Sequence, residues 1–305
     1  MSDLRRTPRR FSDEAIAVFR AARWLTTSVW PGRRAYARWL RRGGLQGVRV
    51  DVPVPALPAP LDGLRVVQIS DLHGGVFLDE ASLDPVVALA RSFEPHLVAI
   101  TGDFVTRFAD DVHALGGVFA RLDAPLGKLA VFGNHDYRGR REGEIAAALR
   151  RQGVTVLRNA SVALRHGGAL LRVAGLEDLE ESKGADLDRA VAGWDDEPAA
   201  RVLLCHHPDV VEDLPPGLFH LVLSGHSHGG QIVLPGVGAA LGRRWLPRRL
   251  RGDHPVPGGG LLHVNRGLGV IVLPFRLGAR AEVTCLTLRA AAARAPAADV
   301  AQVAA

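Results

Sequence analysis

Cysteine is scarce in this chain: only Cys205 and Cys285 occur in 305 residues. That scarcity excludes a disulfide-dense scaffold and any cysteine-ligated zinc cluster. Both cysteines lie inside apolar runs, where a thiol serves as a small buried hydrophobe. Long hydrophobic runs are missing as well. No uninterrupted apolar stretch reaches the ~18 residues that a membrane-spanning helix needs. Internal repeats are absent, and so is any glycine-rich phosphate loop of the G-x-x-x-x-G-K type. Charged residues make up 23% of the chain against 47% hydrophobic, which excludes a disordered protein. The length suffices for one large domain or two modest ones.

Acidic residues are nearly missing from the first fifty positions. Twelve arginines face only Asp3, Asp13 and Glu14 there, a net +9 that leaves −3 for the rest of a chain totalling +6. The basic pI therefore describes the head, and the mildly acidic body argues against a nucleic-acid partner. Arg9-Arg10-Phe11 has the paired arginines of a twin-arginine signal, but Asp13 and Glu14 follow at once and Arg20 and Arg23 break up the apolar stretch behind it. The expectation is a protein of the cytoplasm without signal peptide or spanning helix. Residues 1–50 read as a basic amphipathic segment with two uses: peripheral contact with an anionic membrane, at its inner face, or a helix packed on the body with solvated arginines.

Residues 51–63, DVPVPALPAPLDG, hold four prolines and two aspartates and read as a Pro-rich lead-in. A folded domain is expected over 64–289 and a disordered tail over 290–305. Within the domain, LRVVQIS, HLVAITG, KLAVFG, RVLLCH and HLVLSG are short, nearly continuous apolar runs, the pattern of strands buried on both faces. Helices are expected at about 79–93, 110–122, 139–151 and 185–193. Further strands are expected over 154–176, joined by the turn at 166–168, and in EVTCLTLR near the end.

Each of the five runs ends in metal-capable side chains. In order these are Asp71 and His73, then Asp103, then Asn134, His135 and Asp136, then His206 and His207, then His226 and His228. Ligands in α/β sheets gather beyond the carboxyl ends of the strands. Five neighbouring strands delivering this set to one edge would build a polynuclear site. Imidazole suits zinc, iron, manganese or cobalt, while carboxylate and amide oxygens favour harder ions. A carboxylate shared between two cations keeps them close enough to activate one water and clamp a phosphoryl oxygen.

The stretch GHSHGGQ, Gly225 to Gln231, also satisfies G-x-S-x-G, the turn that presents a serine nucleophile. A serine hydrolase using Ser227, with Asp253 and His254 or His263 as partners, leaves the other motifs without a purpose. His113, His166, His254 and His263 carry no partner pattern and read as structural, and His207 as a packing neighbour of His206.

DLH, GD, GNHD, HHP and GHSH resemble the motif series of the calcineurin-like metallophosphoesterase superfamily. GHSHGGQIVLPG, NRGLGV and LPFRLGARAEVT are similar to its bacterial membrane-associated branch. The resemblance spans about residues 62–289. It implies an α/β fold, a four-layer α/β/β/α sandwich of the metallo-dependent phosphatase type, and two divalent metal ions (Mn, Fe, Zn or Co). Position by position, it implies Asp71, His73 and His228 on one metal, Asn134, His206 and His226 on the other, and Asp103 bridging both. It further implies His135 as the catalytic histidine, with Asp136 orienting it. The reaction expected is hydrolysis of a phosphoester, more a phosphodiester than a monoester, by in-line attack of a metal-bridging hydroxide. His220 stands where the family often has aspartate, a departure that touches no ligand. Arg243, Arg244, Arg248, Arg249 and Arg251 follow the last motif and could grip a phosphorylated substrate or an anionic lipid head group. A metal-dependent nuclease is the alternative that uses the same centre.

Overall fold

The computed structural model describes residues 32–75, 77–234, 238–239, 247–271 and 273–291. Two six-stranded sheets form the centre of the fold. The first contains β1 (Leu45–Val54), β2 (Arg65–Ile69), β3 (Leu97–Thr101), β4 (Lys128–Val131), β5 (Val154–Val156) and β14 (Ala281–Ala290), in the order β1-β14-β2-β3-β4-β5. The second contains β6 (Ala160–His166), β7 (Ala169–Gly175), β8 (Ala199–Leu204), β9 (Leu221–Ser224), β12 (Gly252–Val256) and β13 (Gly260–Val264), in the order β12-β13-β9-β8-β7-β6. A two-stranded ribbon pairs β10 (Val233–Leu234) with β11 (Gly238–Ala239).

Period-two side-chain alternation explains the layers. Val66, Leu97, Ala99, Leu129 and Val131 face one way from the first sheet and meet Leu171, Val173, Val202, Leu204, Leu221 and Leu223 from the second. Their alternates, Val67, Ile69, Val98, Ile100 and Ala130, pack outward on Val86, Val87 and Ala90 of the helix Asp84–Ser92 and on Ile145, Ala148 and Leu149 of the helix Glu142–Arg151. On the far side, Ala174, Leu203, Cys205 and Val222 lie under Ala190, Val210, Val211 and Leu214. This is the expected four-layer sandwich, and it explains why the strand sequences are apolar on both faces. Cys205 and Cys285 are both buried and unpaired, as their apolar settings imply.

Three local expectations need revision. The stretch 110–122 forms two 3-10 turns, Ala109–Leu115 and Phe119–Arg121, in place of a helix, because the Gly116-Gly117 pair breaks it and Gly116 takes φ 53°. The helix expected at 185–193 is a single turn, Leu187–Ala190. Residues 51–54 are not lead-in: they complete β1, an edge strand in parallel register with β14, so Val52 and Val54 are buried. Pro53 fits because an edge strand tolerates a residue with no N–H to donate.

Of the basic head, residues 1–31 lie outside the described residues. The helix Gly32–Trp39 that follows packs on the body: Tyr36 and Leu40 are buried, Arg34 and Arg38 are exposed, and the Tyr36 hydroxyl donates to Leu268 O at 2.5 Å. Among the described residues, no helix is long and apolar enough to cross a membrane.

Candidate metal centre

Strands β2, β3 and β4 run parallel, as do β7, β8 and β9, so their carboxyl ends share an edge in each sheet. The sheets are tied together there. Gln68 Nε2 donates to Ser224 O at 2.9 Å, and His206 Nδ1 meets Thr101 O at 2.7 Å. Asp71, Asp103, Asn134, His206 and His226 therefore emerge around one point from five strands.

The loops that carry them are under backbone constraint. Among the described residues ten non-glycine positions have positive φ, and five are Asp71, His73, Asp103, His226 and His228. Such conformations cost of order 1–3 kcal/mol each and persist where the surroundings over-determine them. Two glycines make room. A Cβ on Gly225 would stand 2.3 Å from Asp71 Oδ2, and one on Gly133 would stand 2.3 Å from Asp103 Oδ1. The glycines of GHSH and GNHD thus leave the space that the carboxylates occupy.

Two pairs of ring nitrogens face each other across Asp103. His73 Nε2 lies 3.0 Å from His228 Nε2, and His206 Nε2 lies 3.3 Å from His226 Nδ1. Asp103 Oδ2 touches one member of each pair, at 3.4 Å from His73 Nε2 and 3.3 Å from His206 Nε2. Asp103 Oδ1 accepts the His135 N–H at 2.9 Å. Asp71 lies 3.6 Å from His228 Nε2 and accepts the His226 N–H at 3.0 Å. Asp71, His73, Asp103 and His228 form one buried group of potential ligands. Asn134 follows β4, and its Oδ1 is buried without a hydrogen-bond partner, which is costly for a carbonyl oxygen unless a cation meets it.

The ionisation pattern suits cations. Burial brings the His73 imidazole down to about 4 and holds His226 and His228 well below the usual histidine range, so all three offer lone pairs at neutral pH. Burial pushes the Asp71 carboxyl up to about 6. Burial also works to raise Asp103, but His206, His135 and His73 outweigh it and hold that carboxyl well below its usual range. His206 is the reverse: burial opposes its charge, and Asp103 and Asp71 raise it well above the ordinary value. A proton on His206 thus stands where a cation would compete for the same lone pair. Imidazole, carboxylate and amide oxygen together fit a first-row divalent metal.

His135 lies beside this group, its ring 4.7 Å from that of His73. Its Nδ1 lies 2.6 Å from Thr106 O, an acceptor only; the shorter contact favours the proton on Nδ1, which makes Arg138 Nη1 at 3.0 Å a charge neighbour rather than a donor to this ring. Burial and the neighbouring Arg138 keep the ring well below its usual pKa. Asp136 does not orient it. The Asp136 carboxyl accepts the N–H groups of Gly133 at 2.9 Å and Val105 at 3.1 Å, so it fastens the two loops, and the orienting partner of His135 is the Thr106 carbonyl.

The serine-nucleophile alternative fails on geometry. Ser227 is buried, its hydroxyl donates to Leu250 O, and its oxygen accepts the Gly229 N–H at 3.1 Å. His263 does meet Asp253, at 2.6 Å, but its Nε2 faces Glu282 and Thr284 rather than Ser227. Arg243 and Arg244 lie outside the described residues. Arg248 and Arg249 both pair with Glu212 at 3.2 Å, and Arg249 reaches Asp209 at 3.4 Å, beside the loop that carries His206.

Three contributions escaped the sequence reading. Arg276 is buried behind His228, donating to His228 O, Arg266 O, Ala279 O and Gly269 O, with Nη2 3.2 Å from His228 Nδ1. Its signal was an arginine inside the apolar run LPFRLG. Arg138 places Nη1 3.0 Å from His135 Nδ1, and nothing in GNHDYR foretells it. Glu180 and His207 join His226 in a second group of potential ligands, with His207 Nε2 3.7 Å from Glu180 Oε1. Glu180 lies in the loop after β7, which carries no motif.

Comparison with known proteins agrees with this geometry. The profile of the calcineurin-like phosphoesterase family matches residues 64–230. The metallophosphoesterase YkuE of Bacillus subtilis is 31% identical over 261 residues, covering 85% of this chain and 90% of that protein. The UDP-2,3-diacylglucosamine pyrophosphatase LpxG of Chlamydia trachomatis is 30% identical over 286 residues, covering 77% of this chain and 86% of that one. A bovine transmembrane protein with a metallophosphoesterase domain is 31% identical over 258 residues, and there the match spans 79% of this chain but 56% of the relative.

Proposed function

The chain belongs to the calcineurin-like phosphoesterase family and is a metal-dependent phosphoesterase; we propose that it cleaves a lipid-linked phosphodiester or pyrophosphate at a dinuclear centre. The observation that carries this is the Asp103 carboxylate, one oxygen of which touches His73 on one side and His206 on the other. Each of those histidines faces a second imidazole nitrogen at hydrogen-bond distance. That makes two foci with a shared oxygen between them. Asp71, His73 and His228 would hold one cation, Asn134, His206 and His226 the other, and Asp103 both. When bound, such cations lower the pKa of water and offset the charge that develops on a phosphoryl group.

The protein's own groups do the rest. His135 presents Nε2 toward the substrate while Thr106 O fixes its Nδ1 proton. An anionic phosphoryl group nearby favours the imidazolium, which can then give its proton to the leaving oxygen. Burial, and then Arg138 in contact with it, keep the His135 ring neutral until that anion arrives. The lipid-linked substrate class is supported by the likeness to LpxG, whose name specifies a diacylated sugar nucleotide. It is also supported by the arginines that follow the last motif.

The test is turnover of the manganese-loaded protein on a bis-aryl phosphate and on a detergent-dispersed nucleotide-linked lipid, beside the corresponding monoesters. Asp103→Asn and His135→Ala should each lower kcat by more than ~10²-fold, the scale of losing a general acid. Near-normal turnover in either variant, or a monoester preferred over every diester, would overturn the reading.

A further inference from the structure

Four large hydrophobic side chains stand exposed among the described residues: Leu234 at 38%, Leu273 at 43%, Phe275 at 48% and Leu277 at 49%. They come from two segments that meet where Ile232 and Leu277 form an isolated parallel bridge, with Val233 N–H donating to Leu277 O at 2.8 Å and Leu277 N–H to Gln231 O at 2.9 Å. The same tetrapeptide, Ile-Val-Leu-Pro, begins at 232 and again at 271, and its leucine is exposed in both copies.

Residues 273–277 are patterned inside out. Leu273, Phe275 and Leu277 point to solvent, while Arg276 between them is turned inward and only 6% exposed. In water the opposite arrangement costs less, because a guanidinium is expensive to bury and large apolar groups are expensive to expose. The inward arginine is satisfied by backbone carbonyls. The outward side chains have no such compensation within the described chain. Their outer face is suited to an apolar medium.

Two guanidinium groups flank this edge, whereas Arg248 and Arg249 pair with Glu212, Arg266 pairs with Glu282 at 3.3 Å and Arg276 is buried. Arg251 Nη1 donates to Gly278 O at 2.8 Å, which sets its guanidinium at the rim of the patch, and Arg280 is exposed nearby. Apolar side chains flanked by guanidinium groups are what an element needs to enter the boundary of an anionic bilayer. The edge is fastened to the metal loop. Gln231, three residues beyond His228, donates from Nε2 to Ile271 O at 2.9 Å and Leu273 O at 3.2 Å, and Arg276 reaches His228 itself.

We propose that the edge formed by Leu234, Leu273, Phe275 and Leu277 docks on an anionic lipid bilayer and brings the metal centre to phosphoesters held in it. The inference rests on the lipid-linked reading of the substrate, and it assigns the contact to a surface separate from the arginine-rich head.

The full chain is tested on vesicles of phosphatidylcholine alone and mixed with phosphatidylglycerol. Leu273→Ser, Phe275→Ser and Leu277→Ser together should lower partition onto the anionic vesicles by more than ~10-fold, the scale of withdrawing three half-exposed large side chains from water. Unfolding midpoint and metal content verify that this variant is folded. As a second readout, Phe275→Cys takes an environment-sensitive dye, both native cysteines being buried. The dye should shift to the blue and be quenched by brominated lipid. Wild-type partition in the triple variant, or a dye that stays in water while the protein binds vesicles through its head, overturns the proposal. So does a dimer in sedimentation velocity that the triple variant abolishes, since a second copy then covers the patch. Docking is read without turnover. A protein that docks this way yet cleaves no diester refutes the catalytic reading and leaves the surface standing.

Discussion

Replacing Arg276 tests how the metal loop is held. Its guanidinium donates to Gly269 O at 2.5 and 3.0 Å, Arg266 O at 2.7 Å, His228 O at 3.1 Å and Ala279 O at 3.4 Å. Methionine has similar bulk and no donors. His228 O would keep the Gln231 N–H at 3.0 Å, so the loss falls on the other three carbonyls. At about 1 kcal/mol for each buried acceptor left unpaired, Arg276→Met should cost about 3 kcal/mol. In a chain of this size that lowers the melting midpoint by roughly 5 °C. The loop that presents His228 would also lose its anchor at His228 O, and removing a group that holds a ligand in place typically costs ~10–100-fold in metal affinity. Thermal unfolding with and without chelator reads the first effect, and metal content after dialysis reads the second. Arg276→Lys should resemble Met more than wild type, because an ammonium cannot span carbonyls that diverge around a planar fork. A positive charge beside a cation site would, if charge alone mattered, weaken metal binding. Tighter binding in the Met variant, or a wild-type midpoint, therefore refutes the positioning argument.

Other substitutions separate the remaining claims. Gly225→Ala drives a Cβ to 2.0 Å from Ser70 Oγ and 2.3 Å from Asp71 Oδ2, so metal content should fall sharply in a protein that still folds; full occupancy would show that the loop can shift. Ser227→Ala should keep its phosphodiester turnover and lose about 1 kcal/mol of stability for the hydroxyl bond to Leu250 O, whereas loss of turnover would restore the serine as a nucleophile. Metal uptake should weaken as pH falls through about 6, where Asp71 gains a proton, and isothermal titration across pH 5 to 8 would detect a flat profile if it does not. Burial opposes charge on His263, but Asp253 and Glu282 outweigh it and raise its pKa, so its contribution to stability is complete below about 6.5, the unfolded value, and disappears as pH rises through the folded one. Accordingly, His263→Gln should narrow its stability gap to wild type at alkaline pH, and a gap that widens there contradicts the sign.

The central strands were legible in the sequence because they are apolar on both faces and metal-capable side chains stand directly after them, as in LRVVQISDLH, whereas the four-layer arrangement came from the family resemblance of those motifs. What the sequence could not display are contacts closed by the chain's far end. Arg276 reaches His228 across 48 positions, and Tyr36 reaches Leu268 across 232. The Pro-rich stretch misled for a related reason. Prolines 53 and 55 suggest a lead-in until β14 is known to lie alongside, since only a partner strand reveals that Pro53 faces an edge. Asp136 misled through adjacency: the carboxylate next to His135 in the chain is spent on the backbone of Gly133 and Val105, while a carbonyl 29 residues away holds the ring.

The cost of the centre is met by the fold around it. Asp71, His73, Asp103, His226 and His228 adopt left-handed backbone, the imidazoles of His73, His206 and His228 are buried, and the Asn134 amide oxygen is left unpartnered. None of these is stable in isolation, because each sacrifices either backbone preference or hydrogen bonding. They are tolerated because the strands that launch them are packed on both faces and because the loops are tied at their bases. Asp71 N–H donates to Gly102 O and His73 N–H to Asp103 O, and the Gly133 and Val105 N–H groups are joined through Asp136. The unfavourable terms share one remedy. Cations held there would partner Asn134 Oδ1 and compensate the Asp103 charge without a proton on His206. The rigidity of the sandwich and the strain at its edge thus go together, because strands packed on both faces hold the constrained loops in place.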